Sequence, residues 1–151
     1  NEMHGKLTSA FFHAATTVHY MSDAQMKRYQ DRFPFLADDE GSNQYVLSSC
    51  FSDEFFAAIK LLNEQAKDKK RKGWLVLGST SWIKGTEAAI QWCKDNNKEY
   101  EVLQGLNHKE VLEKMSVAEG FVYLPLGGDT CPRMVIEAQL LGCKLEINDN
   151  V

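Results

Sequence analysis

The residues best able to do chemistry lie between Leu124 and Ala138. The run is Leu124-Pro125-Leu126-Gly127-Gly128-Asp129-Thr130-Cys131-Pro132-Arg133-Met134-Val135-Ile136-Glu137-Ala138. Gly127 and Gly128 let a backbone approach a ligand closely. The helix expected to begin at Pro132 would offer unpaired N–H groups, which favour an anion such as a phosphate. Asp129 precedes that helix and Glu137 lies more than one turn inside it. A carboxylate accepts two hydrogen bonds in fixed geometry, which suits sugar hydroxyls. On spacing alone, an acidic loop residue beside a solvent-facing helical Glu weighs at least as heavily. A second candidate segment, Gly78-Ser79-Thr80-Ser81-Trp82-Ile83-Lys84-Gly85, also follows an apolar run and holds one lysine. It contains no Gly-x-Gly-x-x-Gly, so a dinucleotide-binding loop is excluded.

The elements around these residues alternate. Strands are expected at 74–78, 100–103, 121–124 and 144–148, and helices at 86–96, from the Asn107 cap to 118, and at 132–141 closed by Gly142. Ser52 caps a further helix at 53–66, whose Phe55, Phe56, Ile59, Leu62 and Ala66 recur at helical spacing. Upstream, strands are expected near 16–21 and 44–48, a helix at 23–33 ending before Pro34, a loop at 37–43 and a helix within 1–15. Strands alternating with helices imply crossover connections, hence a Rossmann-like three-layer α/β sandwich with a mainly parallel sheet. Ligands in such sheets bind beyond the C-terminal ends of the strands. There the loops 78–85, 105–107 and 125–132 would meet. The chain is expected to be a single domain of 151 residues, or to divide into 1–52 and 53–151.

The stretch from Asp129 to Glu137-Ala138, with Leu140-Leu141-Gly142-Cys143 closing the helix, resembles the donor-site motif of retaining GT-B glycosyltransferases of family 4. That motif has an acidic residue, seven intervening residues, then Glu-Ala and a helix ending in Gly. Asp129 stands where the family usually has Glu. The segment ending Lys84-Gly85 resembles the family's strand-Gly-Arg-loop-Lys-Gly segment, with Ser79 in place of the arginine. That leaves one positive charge missing, which Arg133 could supply from the helix start, or else the donor site is weak. The resemblance implies that Glu137 binds the ribose of a nucleotide sugar and that Asp129 meets the transferred sugar. It further implies that Lys84 and Gly85 flank the diphosphate, with Thr130, Cys131 and Arg133 beside it. Gly105 and Leu106 fall where the family often holds the nucleobase through the backbone. Residues 18–22 look like the end of the family's first domain, and 44–51 like the strand that follows.

The implied function is the nucleotide-sugar-binding portion of a retaining glycosyltransferase, one half of a GT-B architecture, serving carbohydrate biosynthesis. Its partners would be a nucleotide sugar and a carbohydrate or lipid-linked acceptor held by a front domain. The beginning at Asn1 rather than Met, and the end just past a strand, lead us to expect a portion of a longer enzyme, inactive in transfer by itself. Catalysis would be electrostatic, with a helix N-terminus, Lys84 and Arg133 meeting the charge on the departing nucleoside diphosphate. No metal and no cofactor is then expected, and no residue is assigned as a catalytic base. Two rivals are a degenerate, non-catalytic nucleotide-sugar-binding or scaffold module, and another phospholigand protein on a flavodoxin-like sheet.

Composition narrows the classes. A net charge of −4 argues against a nucleic-acid surface as the main function. No apolar run approaches the ~20 residues of a membrane span. Cys50, Cys93, Cys131 and Cys143 are far apart, so neither zinc spacing nor a disulfide framework is present, and reduced thiols in a cytoplasmic protein are expected. Cys131, at a helix start, is a candidate for thiolate character, but with no His or second Cys beside it a packing role is favoured. The run Lys67-Asp68-Lys69-Lys70-Arg71-Lys72 reads as a solvated helix end, with peripheral contact to an anionic membrane as the minority reading. His4, His13, His19 and His108 are scattered, and none is assigned as a base. Trp82, alone among the tryptophans, sits where it could cover a ligand.

Overall fold

The computed structural model describes residues 2–38, 43–129 and 132–151. The expected sites Thr130 and Cys131 lie outside the described residues. The chain divides into two compact units, Asn1–Ser49 and Cys50–Val151.

The first unit holds α1 (Glu2–Ala14), β1 (Thr17–Tyr20), α2 (Asp23–Arg32), α3 (Phe35–Asp38) and β2 (Asn43–Val46). β1 and β2 pair in parallel, with Thr17 opposite Asn43 and Tyr20 opposite Val46. They form a sheet of their own. Ser22 caps α2 by accepting from the Gln25 N–H, while Gln25 Oε1 accepts from Met21 N–H at 2.7 Å. One orphan N–H of the first turn and the Met21 N–H just before the cap are thereby satisfied by one local exchange. Phe12 packs on Tyr29 and Phe33, joining α1 to α2. Ala37 and Asp38, expected in a loop, instead close the one-turn helix α3. Pro34 stops α2 but suits the entry to a new turn, and the Ala37 N–H bonds back to the Pro34 carbonyl at 2.9 Å.

The second unit holds α4 (Asp53–Ala66), β3 (Trp74–Leu77), a 3-10 turn (Trp82–Lys84), α5 (Thr86–Asp95), β4 (Tyr100–Leu103), α6 (His108–Val117), β5 (Gly120–Tyr123), α7 (Arg133–Leu140) and β6 (Lys144–Ile147). Its four strands are all parallel, in the order β4-β3-β5-β6. It is a Rossmann-like α/β sheet with helices on both faces. Strand alternation divides the apolar residues between two layers. Leu75, Phe121 and Tyr123 face α4, α6 and α7, burying Ile59, Leu112, Met115, Val135 and Ala138. Trp74, Val76 and Val122 face α5, burying Ala89 and Cys93.

Arg71 departs from the solvated reading of the basic run. Its guanidinium is half-buried and donates to the carbonyls of Ala118 at 3.1 Å and Leu141 at 2.6 Å. These carbonyls lie at the C-terminal ends of α6 and α7, where a cation is favoured and carbonyls lack helical partners. α7 itself closes in a Schellman arrangement. Cys143 N–H bonds to the Ala138 carbonyl and Gly142 N–H to that of Gln139, with Gly142 at φ +77°. Among the described residues, no helix is long and apolar enough to cross a membrane.

Candidate functional site

In the order β4-β3-β5-β6 the chain leaves β3 toward β4, then crosses over to β5 on the other side of β3. The direction of winding therefore reverses between β3 and β5. In sheets of this kind, ligands bind beyond the C-terminal ends of the strands at such a reversal. Here the loops at that point are residues 78–85 and, among the described residues, 124–129.

The two loops are tied together. Leu126 N–H donates to the Ile83 carbonyl at 2.8 Å. Gly85 has φ +67°, and a Cβ there would stand 1.8 Å from the Leu124 carbonyl oxygen. Only glycine permits both that conformation and that approach. Thr86 steadies the first loop: its hydroxyl donates to the Leu77 carbonyl and accepts from Ser79 N–H. The second loop is held from beyond β6. Asn148 and Asn150 both donate to the Pro125 carbonyl at 2.9 Å, and Asp129 N–H donates to the Asn150 carbonyl.

This framework brings Lys84 and Asp129 together. Lys84 Nζ is 2.7 Å from Asp129 Oδ2, with the side chains 39% and 17% exposed. The Tyr123 hydroxyl, at the end of β5, donates to the same carboxylate oxygen. Burial and the Asp129 hydrogen bond and charge push the Tyr123 phenol well above its usual range. Tyr123 thus stays a donor, and Asp129 is an acceptor for both neighbours. The Lys84 ammonium has further N–H groups and enough exposure to meet a ligand anion.

Glu137 belongs to a different cluster. Its side chain is 3% exposed, and Oε1 receives His108 Nε2 at 3.0 Å and faces Arg133 Nε at 3.5 Å. Arg133 also lies over the Phe51 ring, its guanidinium carbon 4.8 Å from the centroid. The His108 ring runs nearly parallel to Phe55. His108 is the first residue of α6, set by Asn107, which makes a full capping box with Glu110. Beside this cluster, between α4 and α6, opens a cavity of 610 Å³ bordered by Phe55, Leu62, Leu112, His108 and Arg133.

Of the remaining expected residues, Gly105 turns the chain at φ +70° with open space around it. Leu106 is half-buried against the core. Trp82 is 71% exposed on the 3-10 turn. Trp74 is buried and packs against Trp92, its ring centroid 5.0 Å away. Among the described residues, no group of three His, Cys, Asp or Glu could hold a metal ion. His108 and Tyr123 are the residues that sequence reasoning missed. For His108 the available signal was its place directly after a helix cap, on a loop leaving a parallel strand. Tyr123 carried none, since a strand-terminal tyrosine reads as core. Comparisons with protein-family models, with curated proteins and with solved structures each found no match.

Proposed function

We propose that residues 50–151 form the nucleotide-sugar-binding portion of a retaining GT-B-type glycosyltransferase, acting from the cytoplasm on a carbohydrate or lipid-linked acceptor. The observation that carries this reading is the meeting of Lys84 and Asp129 across two loops that leave adjacent parallel strands where the winding reverses. A cation held there by a carboxylate suits a diphosphate: the carboxylate fixes the direction of the ammonium, and the remaining N–H groups point to the ligand. In transfer, Lys84 would stabilise the negative charge gathering on the departing nucleoside diphosphate, with Arg133 and the start of α7 adding to the field. Asp129, which holds Lys84 in place, would lie beside the transferred sugar. No step in this account calls for a metal ion.

A second reading, a degenerate module that binds without catalysing, is favoured by one feature. Ser79 stands where the family's arginine would be, and its hydroxyl is turned back to the Ser81 N–H. The field on the diphosphate is weaker by one charge. Calorimetry with UDP, GDP and ADP, with and without EDTA, tests the binding claim. Metal-independent binding of at least one nucleotide is expected. Failure with all three, or loss of binding in EDTA, counts against both readings. Sugar transfer restored by a complementary acceptor domain separates the first from the second.

A further inference from the structure

Glu137 cannot meet a ribose as an open carboxylate, because its side chain is 3% exposed and its Oε1 is already approached by two donors. Arg133 Nε stands 3.5 Å from that oxygen, an ion-pair distance that favours the carboxylate, and a carboxylate oxygen only accepts, so the imidazole nitrogen 3.0 Å from it carries a proton. His108 in its neutral form therefore holds its proton on Nε2 and a lone pair on Nδ1. The His108 side chain is 55% exposed, and among the described residues Nδ1 has no hydrogen-bond partner. The Phe55 ring lies nearly parallel to the imidazole, with the ring centroids 6.4 Å apart. The cavity bordered by Phe55, Leu62 and Leu112 lies against the same ring and has room for a flat, partly apolar body.

We infer that Glu137 reaches the ligand through His108. The dyad turns Nδ1 outward as a fixed acceptor for a ribose hydroxyl, with the base of the nucleotide in the adjacent cavity. His108 is then the contact residue and Glu137 its positioning residue, in the way a carboxylate behind an imidazole sets tautomer and orientation elsewhere. The inference rests on the nucleotide-binding reading above for its ligand, while the tautomer follows from the protein alone.

The test has two arms on the 151-residue chain. Long-range ¹H–¹⁵N spectra of the unliganded protein report the His108 tautomer. The neutral Nε2–H form is expected, and Glu137→Ala should return the ring to a mixture. A dominant Nδ1–H form in the unsubstituted chain overturns the inference whatever the ligand. Calorimetry with the tightest of UDP, GDP and ADP supplies the second arm. His108→Ala and Glu137→Ala should each weaken binding about tenfold, and the double variant no further, because both remove one contact. His108→Asn, whose amide oxygen can stand near the Nδ1 position, should recover most of the loss. Should Glu137→Ala prove unstable, the two His108 variants carry this arm alone. Binding that is unchanged or tightened in His108→Ala overturns the inference and leaves the nucleotide reading intact. Failure of the unsubstituted chain to bind any of the three overturns that reading, and the ribose role with it.

Discussion

Gly85→Ala should be among the most damaging small substitutions in the second unit. An L-residue held at φ +67° carries left-handed strain of about 1–2 kcal/mol. The new methyl carbon would also stand 1.8 Å from the Leu124 carbonyl oxygen, 2.6 Å from its carbon and 3.1 Å from Pro125 Cα. All three are backbone atoms, so no rotamer change relieves the overlap. The loop after β5 must move away from the 3-10 turn, an overpacking cost of about 1–3 kcal/mol. The total expected loss is about 2–5 kcal/mol. Gly105→Ala is the matched control. Its φ of +70° imposes the same strain, but nothing lies within 4 Å of an added Cβ, so a loss of about 1–2 kcal/mol is expected. Trp74, Trp82 and Trp92 all belong to the second unit, so urea unfolding followed by tryptophan fluorescence reports on that unit alone. The displaced loop carries Asp129, so nucleotide affinity should fall in Gly85→Ala more than in Gly105→Ala. Equal destabilisation by the two alanines, within about 0.5 kcal/mol, would refute the claim that Gly85 locks the two site loops together.

Other outcomes follow from the same structure. Arg71→Leu leaves the C-terminal carbonyls of α6 and α7 without a shared donor and should cost about 2–3 kcal/mol in urea unfolding. Arg71→Lys should recover only part of this, since one ammonium cannot span both ends as a planar fork does. Lys84→Ala should weaken a nucleoside diphosphate more than the bare nucleoside in calorimetry, and the gap should narrow as salt rises, because the contact is partly exposed. A salt-independent gap would speak against a charge contact. Burial pushes the Cys143 thiol up to about 11, against a smaller opposing pull from Arg71, and burial raises that of Cys93 also. Iodoacetamide at pH 8 should therefore label the exposed Cys50 while sparing Cys93 and Cys143 until the chain unfolds. Peptide mapping that finds Cys143 labelled as fast as Cys50 would contradict the packing described.

The elements were legible wherever a local rule governs a local structure. Ser22, Ser52 and Asn107 mark helix starts because a short side chain bonds a backbone N–H two or three residues on, all within one turn. Gly142 marks a helix end for an equally local reason. The β3-to-β6 alternation followed from apolar runs of four residues between helical periods. The long-range side-chain contacts obey no such rule. Arg71 finds its acceptors 47 and 70 positions away, and His108 meets Glu137 across 29. Nothing near His108 in sequence marks it as the partner of a buried carboxylate. For the same reason Glu137, readable as a helical acid of either exposed or cleft-facing kind, gave no sign that its side chain would be enclosed. Lys84 and Asp129 were candidates separately, and only the strand order shows that their loops leave neighbouring strands. α3 escaped notice because a single turn after a proline has too few residues to display a period.

On the proposed function, a nucleoside diphosphate would be held at the C-terminal end of the second unit's sheet. Backbone amide spectra of the ¹⁵N-labelled chain, titrated with UDP, GDP and ADP to about millimolar concentration, address it most directly. At least one nucleotide is expected to shift the amides of residues 79–85, 105–108, 126–131 and 133–137 together, with the first unit unmoved. Shifts confined to residues 1–49, or no shift with any of the three, would contradict it.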